Sequence, residues 1–157
     1  EFHDARSLER QEDLRRIGPD FLGDEFDFDE ALRRIRERAD FEIADVLLNQ
    51  RVVSGIGNEY KSEVLFVSRV SPFAHVRDLS DEQLTRILRT ARKLMLANIR
   101  KRSTQRVTTF SLDPRQAQYV YSRGGKPCRR CGTPIAFRKQ GRDARGTYWC
   151  PKCQPLQ

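Results

Sequence analysis

Four cysteines offer the plainest chemistry in this sequence. They stand as "CRRC" (Cys128, Cys131) and "CPKC" (Cys150, Cys153), with 18 residues between the pairs, and the other 153 residues contain no cysteine. Each pair places two thiolates on one tight turn, and two such turns facing one another make the tetrahedral sulfur cage that zinc accepts as a closed structural site. The competing reading, two disulfides or redox thiols, belongs to an oxidising compartment, and no secretory feature of the chain points to one. Four protein ligands leave the metal no open position, so a single structural zinc would do no chemistry. Its task would be to fold about 30 residues that have too little core to fold alone.

Between the pairs, "TPIAFRKQGRDARGTYW" offers two extended runs, Pro134 to Lys139 and Thr147 to Trp149, around a glycine- and charge-rich bend. This predicts a zinc-pinned β-hairpin whose tip gathers Arg138, Lys139, Arg142 and Arg145. Guanidinium groups on a rigid tip suit phosphate, because arginine donates two parallel hydrogen bonds to its oxygens. The plainer alternative is a solvated charged loop.

A second stretch, "RVVSGIGNEY" (residues 51–60), sets two glycines and an asparagine between apolar runs. Gly55 and Gly57 let the chain turn and let its amides approach a ligand, and Asn58 is expected to cap the helix that follows. Free amides and the positive dipole end of a helix form an anion site, into which a phosphate fits. A tight turn with no ligand is an equal reading of the same residues. His3 and His75 stand alone and read as ordinary surface or partly buried histidines, and no nucleophile is evident.

The elements that position these groups are mostly helical. Asp27 or Asp29 could cap a helix through "FDEALRRIRERA", with Phe28, Leu32, Ile35 and Ala39 inward. "FEIADVLLNQ" groups Ile43, Ala44, Leu47 and Leu48. After Asn58, "EYKSEVLFVSRV" sets Tyr60, Val64 and Val67 together before Ser71-Pro72 ends the helix. Ser80 and Gln83 form a capping box opening a long helix over 81–102, with Leu84, Ile87, Leu88, Ala91, Leu94 and Met95 in one stripe. Residues 102–118 lack periodicity. The expected fold is mainly α, a helical domain followed by a small zinc-binding β-hairpin. Its divisions are residues 1–19, a remnant of an earlier element with a linker, then 20–115 and 116–157.

Charge divides the chain. Residues 1–48 carry 15 acidic and 8 basic side chains, whereas residues 49–157 carry 7 and 22. So basic a segment is the footprint of a nucleic-acid binder, although an acidic protein or a membrane surface would also suit it. No apolar run approaches the roughly 18 residues that span a bilayer. A soluble, intracellular chain with no membrane partner is expected. It opens without methionine on "EFHDARSLERQEDLRRIGPDFLG", which reads as the end of an earlier element, so a fragment is expected too.

Three stretches carry a resemblance. "LLNQRVVSGIGNEYKSEVLF", "VYSRGGKPCRRCG" and "RGTYWCPKCQ" resemble, in order, the C-terminal signatures of the formamidopyrimidine-DNA glycosylase and endonuclease VIII family of base-excision repair enzymes, over residues 18 to 155. The resemblance implies a helix-two-turns-helix domain and a zinc finger that form one half of a cleft for damaged or abasic-site duplex DNA, in a monomeric bacterial cytoplasmic enzyme acting near the nucleoid. It implies that Asn58 grips the phosphate flanking the lesion, with Gly57 beside it. Arg145 would hold phosphates at the kinked site, and Cys128, Cys131, Cys150 and Cys153 would bind zinc. Lys61 and Arg142 are lesser phosphate contacts on charge and position only.

The family's N-terminal domain, with its proline nucleophile, glutamate and void-filling wedge, has no counterpart in these residues. The chain is expected to bind DNA and cleave nothing, with that domain as its missing partner. "RVTTFSLDPRQAQ" lacks an evident lid over an everted purine, and "YWCPKCQ" looks closer to the endonuclease VIII branch, which implies oxidised pyrimidines as the intact protein's substrates. Two rivals remain: a free-standing RNA- or DNA-binding module, since similar helical turns occur in a ribosomal protein, and a protein-interaction adaptor with a structural finger.

Overall fold

The computed structural model describes residues 17–99, 106–109 and 111–156. The expectations for residues 1–16, His3 among them, and for the long helix beyond Ile99 lie outside the described residues. The described helices are α1 (Phe28–Arg36), α2 (Ile43–Leu48), α3 (Asn58–Val67) and α4 (Asp81–Ile99), with 3-10 turns at Val76–Asp78 and Pro114–Gln116. Strands β1 (Ala136–Gln140) and β2 (Arg145–Trp149) form one antiparallel hairpin, pairing Ala136 with Trp149 and Gln140 with Arg145. The helical expectation with a small appended hairpin therefore holds. None of the described helices is long and apolar enough to cross a membrane.

Local chemistry explains the helix starts. Asp27, of the two candidates, caps α1, its carboxylate accepting from the Glu30 N–H at 3.0 Å. Asp29 and Glu30 in the first turn and Arg33, Arg34 and Arg36 in the last complement the helix dipole. The helix ends at Arg36, short of Ala39, as the backbone turns through Arg38 N–H to Ile35 and Phe41 N–H to Arg38. At α4 the capping box forms in both directions, Ser80 N–H to Gln83 at 2.9 Å and Gln83 N–H to the Ser80 hydroxyl at 3.1 Å. The stripe from Leu84 to Met95 is buried, with Leu94 at its edge. In α2, Ile43, Ala44 and Leu47 are buried as expected, with Val46 in place of Leu48, which is only partly buried.

Helix α3 departs furthest from its pattern. Tyr60 through Phe66 are consecutive and all buried, including Lys61, Ser62 and Glu63, while Val67 is half-buried. Val64 and Leu65 join the helical core with Ile35, Leu47 and Leu88. Phe66 joins a second cluster with Val120, Ile135, Cys128 and Cys150. The helix is thus a wall shared by the two hydrophobic clusters.

Polar contacts lock the finger to that wall. The Glu63 carboxylate, fully buried, accepts from the N–H groups of Tyr119 at 2.6 Å, Val120 at 2.8 Å and Tyr121 at 3.3 Å, and from the Thr108 hydroxyl. Burial pushes this carboxyl upward and the four donors pull it back; since every partner donates, the ionised form is the one they satisfy. Arg130 lies 4.4 Å from the Phe66 ring centre and donates to the Phe66 carbonyl at 3.1 Å. The Gln154 amide donates to Val70 O at 2.9 Å and accepts from Cys150 N–H at 2.9 Å. At the hairpin turn Gly141 has φ +77, and a Cβ there would sit 2.2 Å from Asp45 Oδ1. Only glycine meets both demands.

Upstream, Gly18 N–H donates to Gln50 O at 2.8 Å, Ser54 N–H to Pro19 O at 2.9 Å and Phe21 N–H to Ser54 O at 3.2 Å. The Gly18-Pro19 pair, which reads as a break, braces the loop that leads to Gly55.

Candidate nucleic-acid interface

The four cysteine sulfurs lie within 4.8 Å of one another, with Cys128 and Cys153 3.9 Å apart and Cys131 and Cys150 3.5 Å apart. Sulfurs about 2.3 Å from a tetrahedral zinc stand roughly 3.8 Å apart, whereas a disulfide needs about 2.05 Å. All four cysteines are free, and backbone N–H groups of Arg130 and Cys153 point at Cys128 Sγ and Cys150 Sγ at 3.4 Å each, the support a thiolate wants. This donor set fits one structural zinc.

In the glycine turn the two glycines differ in purpose. Gly55 has φ +107, which only glycine adopts freely, and Gln50 holds the turn by accepting from Gly55 N–H at 2.9 Å and donating to Ile56 O at 3.3 Å. Gly57 has φ −100, open to any residue, and nothing lies within 4 Å of where its Cβ would be. Its bareness meets no need inside the fold. It clears the space in front of the α3 N-terminus, which no side chain caps.

Contrary to the expectation from its position, Asn58 does not cap α3: Gly57 is the N-cap and Asn58 the first helical residue. Its Oδ1 instead accepts from Lys61 Nζ at 2.6 Å, which turns Nδ2, the donor end, the other way. Lys61, expected at the surface as a phosphate contact, is only 1 % exposed. Its ammonium group also donates to Gly146 O at 3.2 Å and Thr147 Oγ1 at 2.9 Å. The reason is that β2 covers this side of α3. Burial, opposed by Asp45 and reinforced by Arg145, brings the Lys61 pKa down to about 8.

Arg145 opens β2 and is exposed, one residue before Gly146. Arg142, exposed in the turn, lines with Arg145, Arg38, Asn49 and Gln50 a depression of about 510 Å³. Asp45 and Asp143 share it, and burial raises the Asp45 pKa while Lys61 lowers it. Arg138 is not free at the tip: it stacks 3.8 Å from the Phe73 ring centre, and Phe73 meets Trp149 edge-on at 4.7 Å. A second depression, 350 Å³, is lined by Arg115, Arg123, Lys126 and Arg129. It also takes in Gln118, whose amide donates to Glu59 beside Asn58. His75 is half-buried, its backbone bridged to Glu42. Sequence reasoning missed Glu63, Gln50 and the burial of Lys61; the one signal was a polar run, Lys61-Ser62-Glu63, set between Tyr60 and the apolar Val64–Val67.

Comparison with known proteins agrees with this architecture. Residues 17–109 match the model of the formamidopyrimidine-DNA glycosylase H2TH domain, and residues 125–156 match the zinc finger found in FPG and IleRS. A protein of Streptomyces coelicolor described as probable endonuclease 8 2 is 39% identical over 151 residues, 95% of this chain and 53% of that protein. The MutM (FPG) structure from Thermus thermophilus superposes with a TM-score of 0.75 at 32% identity, covering 99% of this chain and 64% of its own. Lactococcus lactis Fpg in complex with an abasic site containing DNA gives 0.77 at 25% identity, covering 96% and 56%. The chain thus spans about half the length of the curated relatives it matches. With its helical segment and its four-cysteine finger both matched, the chain belongs to the formamidopyrimidine-DNA glycosylase family of H2TH and zinc-finger proteins.

Proposed function

We propose that this chain is the DNA-gripping half of a base-excision-repair glycosylase and AP lyase, holding the phosphates of duplex DNA around a damaged base or abasic site. One observation carries the reading: the uncapped start of α3, cleared by Gly57, and the exposed Arg145 are tied side by side through Lys61. Amides, Asn58 Nδ2 and a guanidinium are then the donors offered to the phosphates. Arg142 and the four cations around the second depression extend the positive surface for neighbouring phosphates. The zinc holds the hairpin that carries Arg145 and does not enter the reaction.

The proline nucleophile and glutamate of the family belong to a domain that these residues do not supply, so this half binds without cutting. Lys61, with its lowered pKa, is enclosed and unsuited to attack a sugar. For the intact protein the reading extends to oxidised pyrimidines, and comparing excision of thymine glycol and 8-oxoguanine checks it; a purine preference would overturn that extension.

The test of the main reading is a titration of abasic-site duplex run beside borohydride trapping and intact mass. Binding in the micromolar range or weaker is expected, without a covalent adduct. A trapped adduct would show an amine nucleophile in this chain, and absence of binding would remove the DNA role.

A further inference from the structure

Lys61 is the only lysine or arginine that is buried among the described residues. Enclosing an ammonium is costly, and an apolar side chain of similar length would fill the space more cheaply. Its three N–H donors meet three acceptors: Asn58 Oδ1 on its own helix, and Gly146 O and Thr147 Oγ1 on β2. The Thr147 hydroxyl donates onward to Gln140 Oε1 at 2.8 Å, and Gln140 Nε2 to Pro72 O at 3.0 Å. All three acceptors of Lys61 are neutral. Asp45 on α2 attracts it through space, Arg145 on β2 repels it, and Asp143 in the turn acts on Asp45.

We propose that Lys61 is the positioning residue of the phosphate grip: it fixes the Asn58 carboxamide with Nδ2 outward and clamps it to the strand that begins with Arg145. The two phosphate ligands then act as one preorganised unit, over a positive charge that touches no phosphate itself. This rests on the DNA-binding reading above. It replaces direct contact by Lys61 with an internal role that orients the groups making contact.

Two consequences separate this role from mere packing. Removing Lys61 should also remove most of what Asn58 contributes, because an unheld amide no longer presents its donor. A phosphate brought near Lys61 should also draw its pKa, about 8 in the free protein, upward again. Binding near that pH therefore takes up a proton, and affinity falls as pH rises through about 8. Fold stability responds with the opposite sign: a lysine held below its usual 10.5 binds its proton more weakly folded than unfolded, so this group's contribution to stability rises with pH between about 8 and 10.5.

The experiment is a titration of the zinc-loaded chain with duplex carrying a tetrahydrofuran abasic site. It compares the unsubstituted chain with Lys61→Met, Asn58→Ala and the double variant, with Tm measured for each. We expect Lys61→Met to weaken binding roughly tenfold or more, and Asn58→Ala to cost little further in that background. Calorimetry of the unsubstituted chain in two buffers of different ionisation enthalpy should show proton uptake at about pH 8, and Lys61→Met should abolish it. Additive losses, or binding without proton uptake, would overturn the role of Lys61 while leaving the DNA reading intact. Absence of binding by the unsubstituted chain would overturn both. Should Lys61→Met fail to fold, the calorimetry of the unsubstituted chain still decides.

Discussion

Arg145 and Asn58 are positioned very differently from Lys61, although all three carry a polar head. Arg145 is exposed at the hairpin tip, so its removal leaves the fold alone. Arg145→Ala is expected to weaken abasic-site duplex binding by about 1 to 3 kcal/mol, the scale of a charge-assisted hydrogen bond, and to reduce the log-log salt slope by about one. A salt-dependent titration checks both, and an unchanged slope would take Arg145 out of phosphate contact. At this scale the sequence was readable where chemistry is tied to spacing. The cysteine pairs needed only their separation, since a metal cage imposes its own geometry. Lys61 was misread because a lysine beside a glycine turn looks like a surface cation, and nothing local reveals that β2, more than 80 residues on, closes over it. Glu63 escaped notice for the same reason, its partners being three backbone amides that no residue type advertises.

Among the elements, the glycine turn and α3 separate cleanly into a part that serves the fold and a part that serves the site. Gly57→Ala meets open space at φ −100 and gives up only the modest N-cap preference of glycine over alanine, so stability should fall by about 1 kcal/mol or less, while DNA affinity falls roughly tenfold as the methyl group intrudes before the helix start. Gly55→Ala, at φ +107, should lower Tm more. Thermal melts and binding titrations on the pair check this, and equal Tm losses would erase the distinction. Helices α1 and α4 were legible from caps and stripes because each has a solvent face to contrast with its buried one. Helix α3 was not. Lys61, Ser62 and Glu63 step about 100° each around it and so spread over more than half of its circumference; their polarity assigns them to water, but Thr108, Val120, Thr147 and Tyr148 close over them.

In the whole molecule, the two hydrophobic clusters share α3 but differ in what sustains them. The helical core closes on its own apolar side chains, whereas the finger's cluster includes two of the metal ligands. Chelation of zinc should therefore leave most helical circular dichroism in place and abolish the Arg145-dependent part of DNA binding. Tm should also fall, because Lys61 loses its acceptors on β2 and Glu63 its amide donors. Spectra and titrations before and after chelation, with zinc add-back, check the outcome; collapse of the helical signal would mean that the modules stand or fall together.

The Glu63 contact also orders events in time. Its amide partners lie 56 to 58 residues further along the chain, whereas the paired cysteine sulfurs are separated by 19 to 25. Shorter loops close first and long-range pairings form late. The finger therefore takes its metal while still loose from α3, and the three amides reach Glu63 afterwards. The clasp of Lys61 on Gly146 and Thr147, 85 and 86 residues away, closes later still, so the contact that fixes where Arg145 stands belongs to the last stage of assembly.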